Sequence, residues 1–467
     1  MSSNAAILLA ILFSLLISFL LGMKALGSQP FICKKIYVSM TLLVVSGSLI
    51  GGISVWWRIT HPQPYTPEPA PLPAQSQVII RQWDKRGLHV SHSSLSGRAG
   101  IVHWSNQDQS PCTENRYFTL SNGIVYQRGA MPDKQEICVQ ALRLSDGAKL
   151  WSTTIKSTQP PDNLITGNPD ADKLLIVRGA LYLQVDNILY KLDIKDGKIL
   201  DKITPDIVKP GAVFVNFASN NDELALQYSF SRGPGDPLLD TLLVLQVSDD
   251  KVLWKSEPGR NQELLAVQGN TLYTQRGSMV ALRVRDGVQL WKASLPELSI
   301  VNSSASSEHV YLRAQNSPGS ADAAIYTLSA PDGRLLWKVP VTSWNGGAPT
   351  EANGIAYIAD TNTLSAFQAN TGRLLWRYKE SPLPSTAIGF NPYDIMYFSQ
   401  PEVVNGVVFV ATNFTTSFPP PLRLIPDFCF GQCTPRTGIN ALRASDGQLY
   451  WHYQTQSQAE LLAAYES

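Results

Sequence analysis

Charge is scarce in this chain, and neither sign dominates. Only 16% of its 467 residues are Asp, Glu, Lys or Arg, and 38 basic against 37 acidic residues leave a formal net charge of +1. Such a balance gives no electrostatic reason to expect a nucleic-acid partner, because phosphate backbones are held by an excess of Lys and Arg. Catalytic motifs are missing too. No Ser/His/Asp order, Gly-rich phosphate loop or paired-carboxylate motif stands out, so no catalytic residue is assigned. His89 and His92 form a close pair, but on a strand i and i+3 point to opposite faces, which argues against a shared metal.

Residues 1–57 contain no Asp or Glu and only three Lys: Lys24, Lys34 and Lys35. Two uncharged, mostly apolar runs flank that loop, Ala5–Met23 and Ile36–Trp57. Each is long enough to cross a hydrocarbon core of about 30 Å as a helix. The expectation for 1–58 is a transmembrane helical hairpin (5–23 and 36–57). The lysine loop belongs in the cytoplasm by the positive-inside rule, which leaves both chain ends outside. Trp56-Trp57 then sits at the outer interface. The alternative, a cleaved signal peptide, lacks the basic residues such a peptide carries before its apolar run.

Residues 59–76 read as a linker. Six prolines in the fourteen residues of His61–Ala74 predict extended polyproline II, a stalk of about 40 Å. Cysteine is also sparse, with five in all. Cys33 falls in the lysine loop and is expected to be a free thiol. The other four are even in number, as an oxidising compartment favours. The pairing read here is Cys112 with Cys138 and Cys429 with Cys433, with cross-pairing or reduced thiols as alternatives. Zinc is disfavoured by the spacing and the lack of an accompanying His pair.

What the chain does have is repetition. An eleven-residue phrase recurs seven times between residues 141 and 451. Its cleanest copies run Ala141–Trp151, Ala281–Trp291 and Ala441–Trp451, and weaker copies end at Asp201, Trp254, Trp337 and Trp376. Alternating apolar residues, then Asp-Gly, then a second apolar run is a strong hairpin signal. The turn glycines are Gly147, Gly197, Gly287, Gly333, Gly372 and Gly447. Two short strands precede each phrase, for example Lys173–Gly179 and Ala180–Asp186. Four short strands repeated at this spacing predict an all-β fold, a seven-bladed β-propeller of four-stranded antiparallel blades over residues 77–467. Val78–Trp83 and Leu88–His92 fall before the first phrase. They add an outer strand to the ring or begin an eighth, degenerate blade.

The phrase resembles the tryptophan-docking motif of the PQQ-type (quinoprotein) propellers, Ala-x-Asp-x-x-Thr-Gly-x-x-x-Trp, over roughly residues 115–455. The six repeat tryptophans, Trp151, Trp254, Trp291, Trp337, Trp376 and Trp451, are expected to wedge between blades against a small residue and a turn Gly. Asp201 replaces the ring in the second unit, so that junction is expected to be the loosest. The motif's third-position Asp survives only as Asp193. Arg143, Arg283 and Arg443 hold that position elsewhere and are expected to make salt bridges or solvated contacts between blades.

The resemblance implies two function classes. One is a non-catalytic binding or scaffold module, as in family members that help assemble outer-membrane barrels. The other is a PQQ- and calcium-dependent dehydrogenase of alcohols or sugars, for which the family implies an adjacent Cys-Cys pair. This sequence has no such pair and no Cys-x-x-Cys-His haem motif. The expectation is therefore a membrane-anchored extracytoplasmic binding module, without a cofactor and with a protein or cell-envelope partner. The seventh unit is the longest: Trp376 and Trp451 lie 75 residues apart, against 37 to 53 elsewhere. Its loop Asn413–Thr437 carries Phe418, Phe428 and Phe430, the expected partner anchors.

Overall fold

The computed structural model describes residues 76–83, 90–96, 102–107, 117–131, 134–159, 173–204, 212–231, 233, 236–260, 262–293, 295, 299–315, 322–343, 346–380, 395–415, 438–455 and 459–466. They contain 33 strands arranged in eight antiparallel sheets, seven four-stranded and one five-stranded. Blade B holds β4 (Tyr117–Ser121), β5 (Ile124–Met131), β6 (Glu136–Arg143) and β7 (Lys149–Lys156). Blade C follows with β8 (Leu174–Val177), β9 (Ala180–Val185), β10 (Ile188–Asp193) and β11 (Ile199–Ile203). Blade D has β12 (Val213–Ser219), β13 (Glu223–Phe230), β14 (Leu239–Gln246) and β15 (Val252–Lys255). Blade E has β16 (Gln262–Gln268), β17 (Thr271–Arg276), β18 (Met279–Arg283) and β19 (Gln289–Ala293).

Blade F comprises β20 (Ser299–Ala305), β21 (His309–Gln315), β22 (Ala323–Ser329) and β23 (Leu335–Val341). Blade G comprises β24 (Thr350–Ala352), β25 (Ile355–Asp360), β26 (Thr363–Gln368) and β27 (Leu374–Lys379). In blade H the innermost position is split between β28 (Ile395–Phe398) and β29 (Glu402–Val404), both paired to β30 (Val407–Thr415). Then come β31 (Gly438–Arg443) and β32 (Leu449–Gln454). Neighbouring blades touch in chain order, and the ring is a β-propeller.

Of the two expectations, seven blades or an eighth begun by Val78–Trp83 and Leu88–His92, the described residues carry eight sheets. The eighth, blade A, is built from β1 (Ser76–Trp83), β2 (Val90–Ser96) and β3 (Val102–Gln107), with β33 (Ala459–Glu466) paired antiparallel to β1 as the innermost strand. β33 lies between β30 of blade H and β4 of blade B, which closes the ring. Closure removes exposed sheet edges at the junction.

Blade A also holds an eighth copy of the phrase, running from Ser94 through Gly100 to Trp104. Ser94 pairs with Trp104, and the register shifts between Ser94 and Leu95. Ala141 with Trp151 and Ala281 with Trp291 show the same pairing and shift. This copy is hidden in the sequence because Ser replaces the opening Ala and Ala99-Gly100 replaces Asp-Gly.

Each Asp-Gly turn is built locally. The glycine takes φ near +70°, open to Gly without steric cost. The aspartate caps the loop: the Ala148 amide donates to Asp146 Oδ1 at 3.0 Å. That bond, with the Arg143 guanidinium beside it, holds the Asp146 carboxyl below its usual range. Arg143, Arg283 and Arg443 bind the aspartate of their own turn, at 2.8, 2.8 and 3.1 Å to Asp146, Asp286 and Asp446. The expected contacts between blades are thus replaced by contacts within one turn, because three residues of a tight turn bring guanidinium and carboxylate together.

The helical hairpin expected over 1–58 and the linker at 59–76 lie outside the described residues, apart from Ser76. Among the described residues no helix is long and apolar enough to cross a membrane.

Candidate functional site

The seams between blades follow one construction. Across a blade, a second-strand aromatic, the first phrase residue and the phrase tryptophan stand side by side. In blade E these are Tyr273, Ala281 and Trp291. The small Ala281 lets the two rings meet, with centroids 5.9 Å apart. Tyr126–Trp151, Tyr311–Trp337, Tyr357–Trp376 and Phe409–Trp451 repeat the pair at 5.9 to 6.2 Å. These second-strand aromatics are nearly fully buried. A signal for them stands in the sequence: Gly123, Gly179, Gly354 and Gly406 each precede an aromatic by three residues.

The tryptophan then reaches the next blade. Trp291 Nε1 donates to Ala330 O at 2.8 Å, and its ring lies against Gly333, where a Cβ would sit 2.4 Å from Cε3. Trp151, Trp254, Trp337 and Trp376 do the same to Ile194, Val284, Ala369 and Ala444, at 2.6 to 3.1 Å. Their rings cover Gly197, Gly287, Gly372 and Gly447. The acceptor is always the fourth residue of the next phrase.

In blade D the row is Ala225–Val244–Trp254, without the aromatic, and one described seam lacks the tryptophan dock altogether. Between blades C and D the opening Ala is Lys191, the Trp is Asp201 and the receiving Gly is Asp250. Lys191 pairs with Tyr182 on one side and Asp201 on the other, the same row as Tyr273–Ala281–Trp291. Its ammonium lies 5.7 Å from the Tyr182 ring centroid. It donates to Val247 O at 3.3 Å and reaches the Asp250 carboxylate at 3.4 Å. Val247 is the fourth residue of its phrase, so the ammonium takes the acceptor that an indole takes elsewhere. Asp250 holds φ +54°, a left-handed conformation that Asp tolerates.

Burial alone would lower the Lys191 pKa, but Tyr182 and Asp250 outweigh it and the value is raised. Asp250 is raised as well, first by burial and then by Asp201, against the opposing pull of Lys191. A lysine held in its ammonium form is a clamp rather than a nucleophile.

Other buried polar groups also span seams. His309 on blade F, 1% exposed, contacts Glu351 of blade G through Nδ1 at 3.1 Å and Asn370 through Nε2 at 2.8 Å. Tyr311 and Ser306 donate to the same Glu351 carboxylate. Glu380, following β27, accepts from Tyr378 at 2.8 Å and from Asn440 of blade H at 3.1 Å. Arg313 is fully buried and donates to the carbonyls of Ser343, Gly347 and Ala359. Burial lowers its pKa to about 10.

Cys138 is buried and disulfide-bonded. Cys112, Cys429, Cys433, Phe418, Phe428 and Phe430 lie outside the described residues. No group of three His, Cys, Asp or Glu among the described residues is placed to hold a metal ion. With no adjacent cysteines in the sequence, the described residues do not fit a PQQ–calcium centre.

Four-stranded blades docked by Trp on Gly define a propeller of the PQQ-repeat type. The profile of the family described as "Outer membrane protein assembly factor BamB" matches residues 275–466. Two curated proteins are similar. Tetrathionate hydrolase of Acidithiobacillus ferrooxidans is 24% identical over 242 residues, 43% of this chain and 46% of that protein. BamB of Yersinia pestis, an outer membrane protein assembly factor, is 28% identical over 125 residues, 24% of this chain and 30% of that protein. The matched stretches thus span less than half of either relative. Among solved structures, apo AztD from Citrobacter koseri superposes with a TM-score of 0.54 at 12% identity, covering 84% of this chain and 98% of that one. At that identity the likeness speaks for the fold alone. Residues 275–466 thus carry repeats of the PQQ propeller type.

Proposed function

We propose that this propeller is a non-catalytic binding or scaffold module of the cell envelope. One observation carries the reading: three polar side chains at the seams, each buried or half-buried, are engaged in joining one blade to the next. Lys191, His309 and Glu380 each bond across a seam. None of them presents a free general base or nucleophile to a substrate. The similarity to an outer-membrane assembly factor over residues 275–466 supports the same class.

The anchoring rests on the sequence. The runs 5–23 and 36–57 are two membrane spans with Lys24, Lys34 and Lys35 on the cytoplasmic side, and the propeller is outside. An outside location agrees with a disulfide at Cys138, whose partner in this reading is Cys112. Alkaline phosphatase fused after residue 455 should be active and a fusion at residue 30 inactive; the reverse pattern would sink the topology.

The partner site is the loop 413–437 of blade H. Phe418, Phe428 and Phe430 supply apolar anchors, and a Cys429–Cys433 bridge pre-orders them. Replacing residues 415–436 with a short Gly-Ser linker should preserve folding and abolish recovery of partners from cross-linked membranes. Undiminished recovery would reject the loop as the site.

An enzymatic reading is kept open by the similarity to tetrathionate hydrolase. Saturable binding of added PQQ and calcium with dye-linked oxidation of alcohols or sugars, or turnover of tetrathionate, would overturn the scaffold assignment.

A further inference from the structure

The ring is sorted by charge along its radius. The innermost strands β4, β8, β12, β16, β20, β24, β28, β29 and β33 hold Glu263, Glu351, Glu402, Glu460 and Glu466 and no Lys or Arg. The outermost strand of every blade from B to G holds Lys or Arg, and Asp201 is the one carboxylate among these strands. Blades E, F and G carry the pattern furthest. Their outermost strands β19, β23 and β27 read Gln-Leu-Trp-Lys-Ala, Leu-Leu-Trp-Lys-Val-Pro-Val and Leu-Leu-Trp-Arg-Tyr-Lys. Among the described residues, Lys292, Lys338, Arg377 and Lys379 are exposed and have no ion-pair partner. The turn arginines Arg283 and Arg443, by contrast, are paired with their own aspartates. Neutral groups hold two of the wall cations in place. Lys338 Nζ lies 4.6 Å from the Tyr326 ring centroid, and Arg377 Nε donates to Ser365 Oγ at 3.1 Å.

Apolar side chains stand beside these cations. Leu290, Leu335, Leu374 and Leu375 are 38 to 46% exposed. Leu290 and Leu375 are the extra residues of two bulges. Gln289 pairs with Leu282 and Trp291 with Ala281, while Leu374 pairs with Phe367 and Trp376 with Ala366. A bulge re-aims a side chain, and here it takes a leucine out of the ladder next to each docking tryptophan. A lysine on an outer strand is explained by protection of the sheet edge against pairing. Edge protection accounts neither for a single sign of charge on three consecutive strands nor for the exposed leucines beside it.

We propose that the outer wall of blades E, F and G, formed by β19, β23 and β27, is a docking face for an anionic lipid surface. The Lys and Arg side chains meet the anionic headgroups, and the leucines enter the headgroup boundary beside them. Charge complementarity selects this occupant. No carboxylate on the three strands opposes an anion, each basic residue near a negative leaflet adds attraction, and the leucines add buried apolar area. The turn carboxylates that precede β19 and β23 are engaged within their own turns, Asp286 by Arg283 at 2.8 Å and Asp332 by the Arg334 amide at 3.2 Å. A fluid surface also suits residues spread over three blades, whereas a protein partner is held by a compact apolar centre. The chemistry of the wall is independent of the spans read at 5–23 and 36–57.

The test is amide hydrogen exchange of the full chain in nanodiscs of phosphatidylcholine, alone or with about 30 mol% phosphatidylglycerol, at about 50 mM NaCl. Exchange of β19, β23 and β27 should slow about tenfold in the anionic discs, the scale of one or two basic residues engaged at a negative surface. The gain should vanish at about 1 M NaCl, where the charges are screened. The innermost strand β20 should not respond. K338E/R377E/K379E should exchange equally in both discs. K338Q/R377Q/K379Q removes the charge without adding repulsion, should behave the same way, and serves alone if the Glu variant fails to fold. Equal exchange on the two lipids in the unaltered protein would overturn the docking face, as would a lipid response that survives in the Gln variant. Slowing by added poly-glutamate in neutral discs, with no response to phosphatidylglycerol, would give the wall to an acidic protein and overturn the proposal too. A chain that does not insert into the discs rejects the two spans and not the wall. Flotation with vesicles of the same two compositions then decides: the unaltered chain should float only with the anionic vesicles and the variants should not, and equal flotation of all three would overturn the proposal.

Discussion

Blade E and blade A are the same object assembled in two ways. Blade E is one continuous stretch, Gln262–Ala293, whose four strands follow one another. Blade A takes three strands from residues 76–107 and its innermost strand from residues 459–466. Their cross-blade rows match: Tyr273–Ala281–Trp291 in one, Ile79–Ser94–Trp104 in the other. The difference lies in what holds each together. Blade E is tied to blade F by a side chain, Trp291 on Gly333. Blade A is tied into the ring by main-chain pairing between β1 and β33. Side-chain docking repeats and leaves a motif, whereas a closing strand occurs once and leaves none.

Deleting residues 459–466 breaks the comparison most severely. It leaves β1 with an unpaired edge and uncovers Ile79 and Ile80, which are at most 1% exposed. The expected loss is on the order of 5 kcal/mol, at the exceptional end of single perturbations. Urea unfolding should show a collapse of cooperativity across the whole propeller. A change confined to blade A, with the other blades still melting together, would mean that closure is dispensable.

Trp291→Ala attacks the side-chain tie. It removes a nearly buried ring, its bond to Ala330 O and its contact with Tyr273. The cost should be about 3–5 kcal/mol, read from the denaturant midpoint. An unchanged melting temperature would show the ring to be idle.

The same seam can be tested from its other side with less force. Gly333→Ala places a methyl 2.4 Å from Trp291 Cε3 on a backbone at φ +71°, for an expected loss of about 2–4 kcal/mol. Gly354→Ala is the control. Its φ is +73°, but a Cβ there meets nothing within 4 Å, so the backbone penalty of about 1 kcal/mol stands alone. Equal losses for the two variants would mean that docking against Gly333 contributes nothing.

These contrasts also explain what was legible in the sequence. The blades were legible because Gly287, Gly333 and their equivalents must take positive φ under a tryptophan, and both constraints fix residue types at a fixed spacing. The eighth phrase was not, since Ser94 stands where the cleanest copies open on Ala, and Ala99-Gly100 where they have Asp-Gly. β33 was not legible either. Its sequence, Ala-Glu-Leu-Leu-Ala-Ala-Tyr-Glu, is rich in good helix formers, and only the unpaired edge of β1 makes it a strand. At the C–D seam, Asp201 announced a missing ring. What replaced it required three positions far apart in the chain, Lys191, Asp201 and Asp250, to be seen together. The expected partner loop begins in β30, with Asn413–Thr415 paired to β28, and its residues 416–437 lie outside the described residues.

The smallest effect sharpens the closure side of the comparison. On the innermost strands of blades F and G, Ser304 and Thr350 stand opposite Tyr311 and Tyr357. Each donates its hydroxyl to the next blade, to Pro349 O at 2.5 Å and to Pro401 O at 2.6 Å. Glu402 holds that position in blade H, opposite Phe409 and next to blade A. Burial raises its pKa to about 7. The adjoining strands carry Glu351, engaged by His309 and Tyr311, together with Glu460 and Glu466. A raised folded-state value means that the native protein holds this proton more tightly than the unfolded chain does. The associated stability is complete below the ordinary carboxylate value near 4.5 and is lost as pH rises through about 7. Allowing for partial exposure, unfolding free energy should fall by about 1–2 kcal/mol between pH 4.5 and 8 on account of this group. Glu402→Gln keeps a neutral donor at every pH and should flatten that part of the profile. Parallel pH profiles for the two proteins would show that Glu402 does not act at the closure.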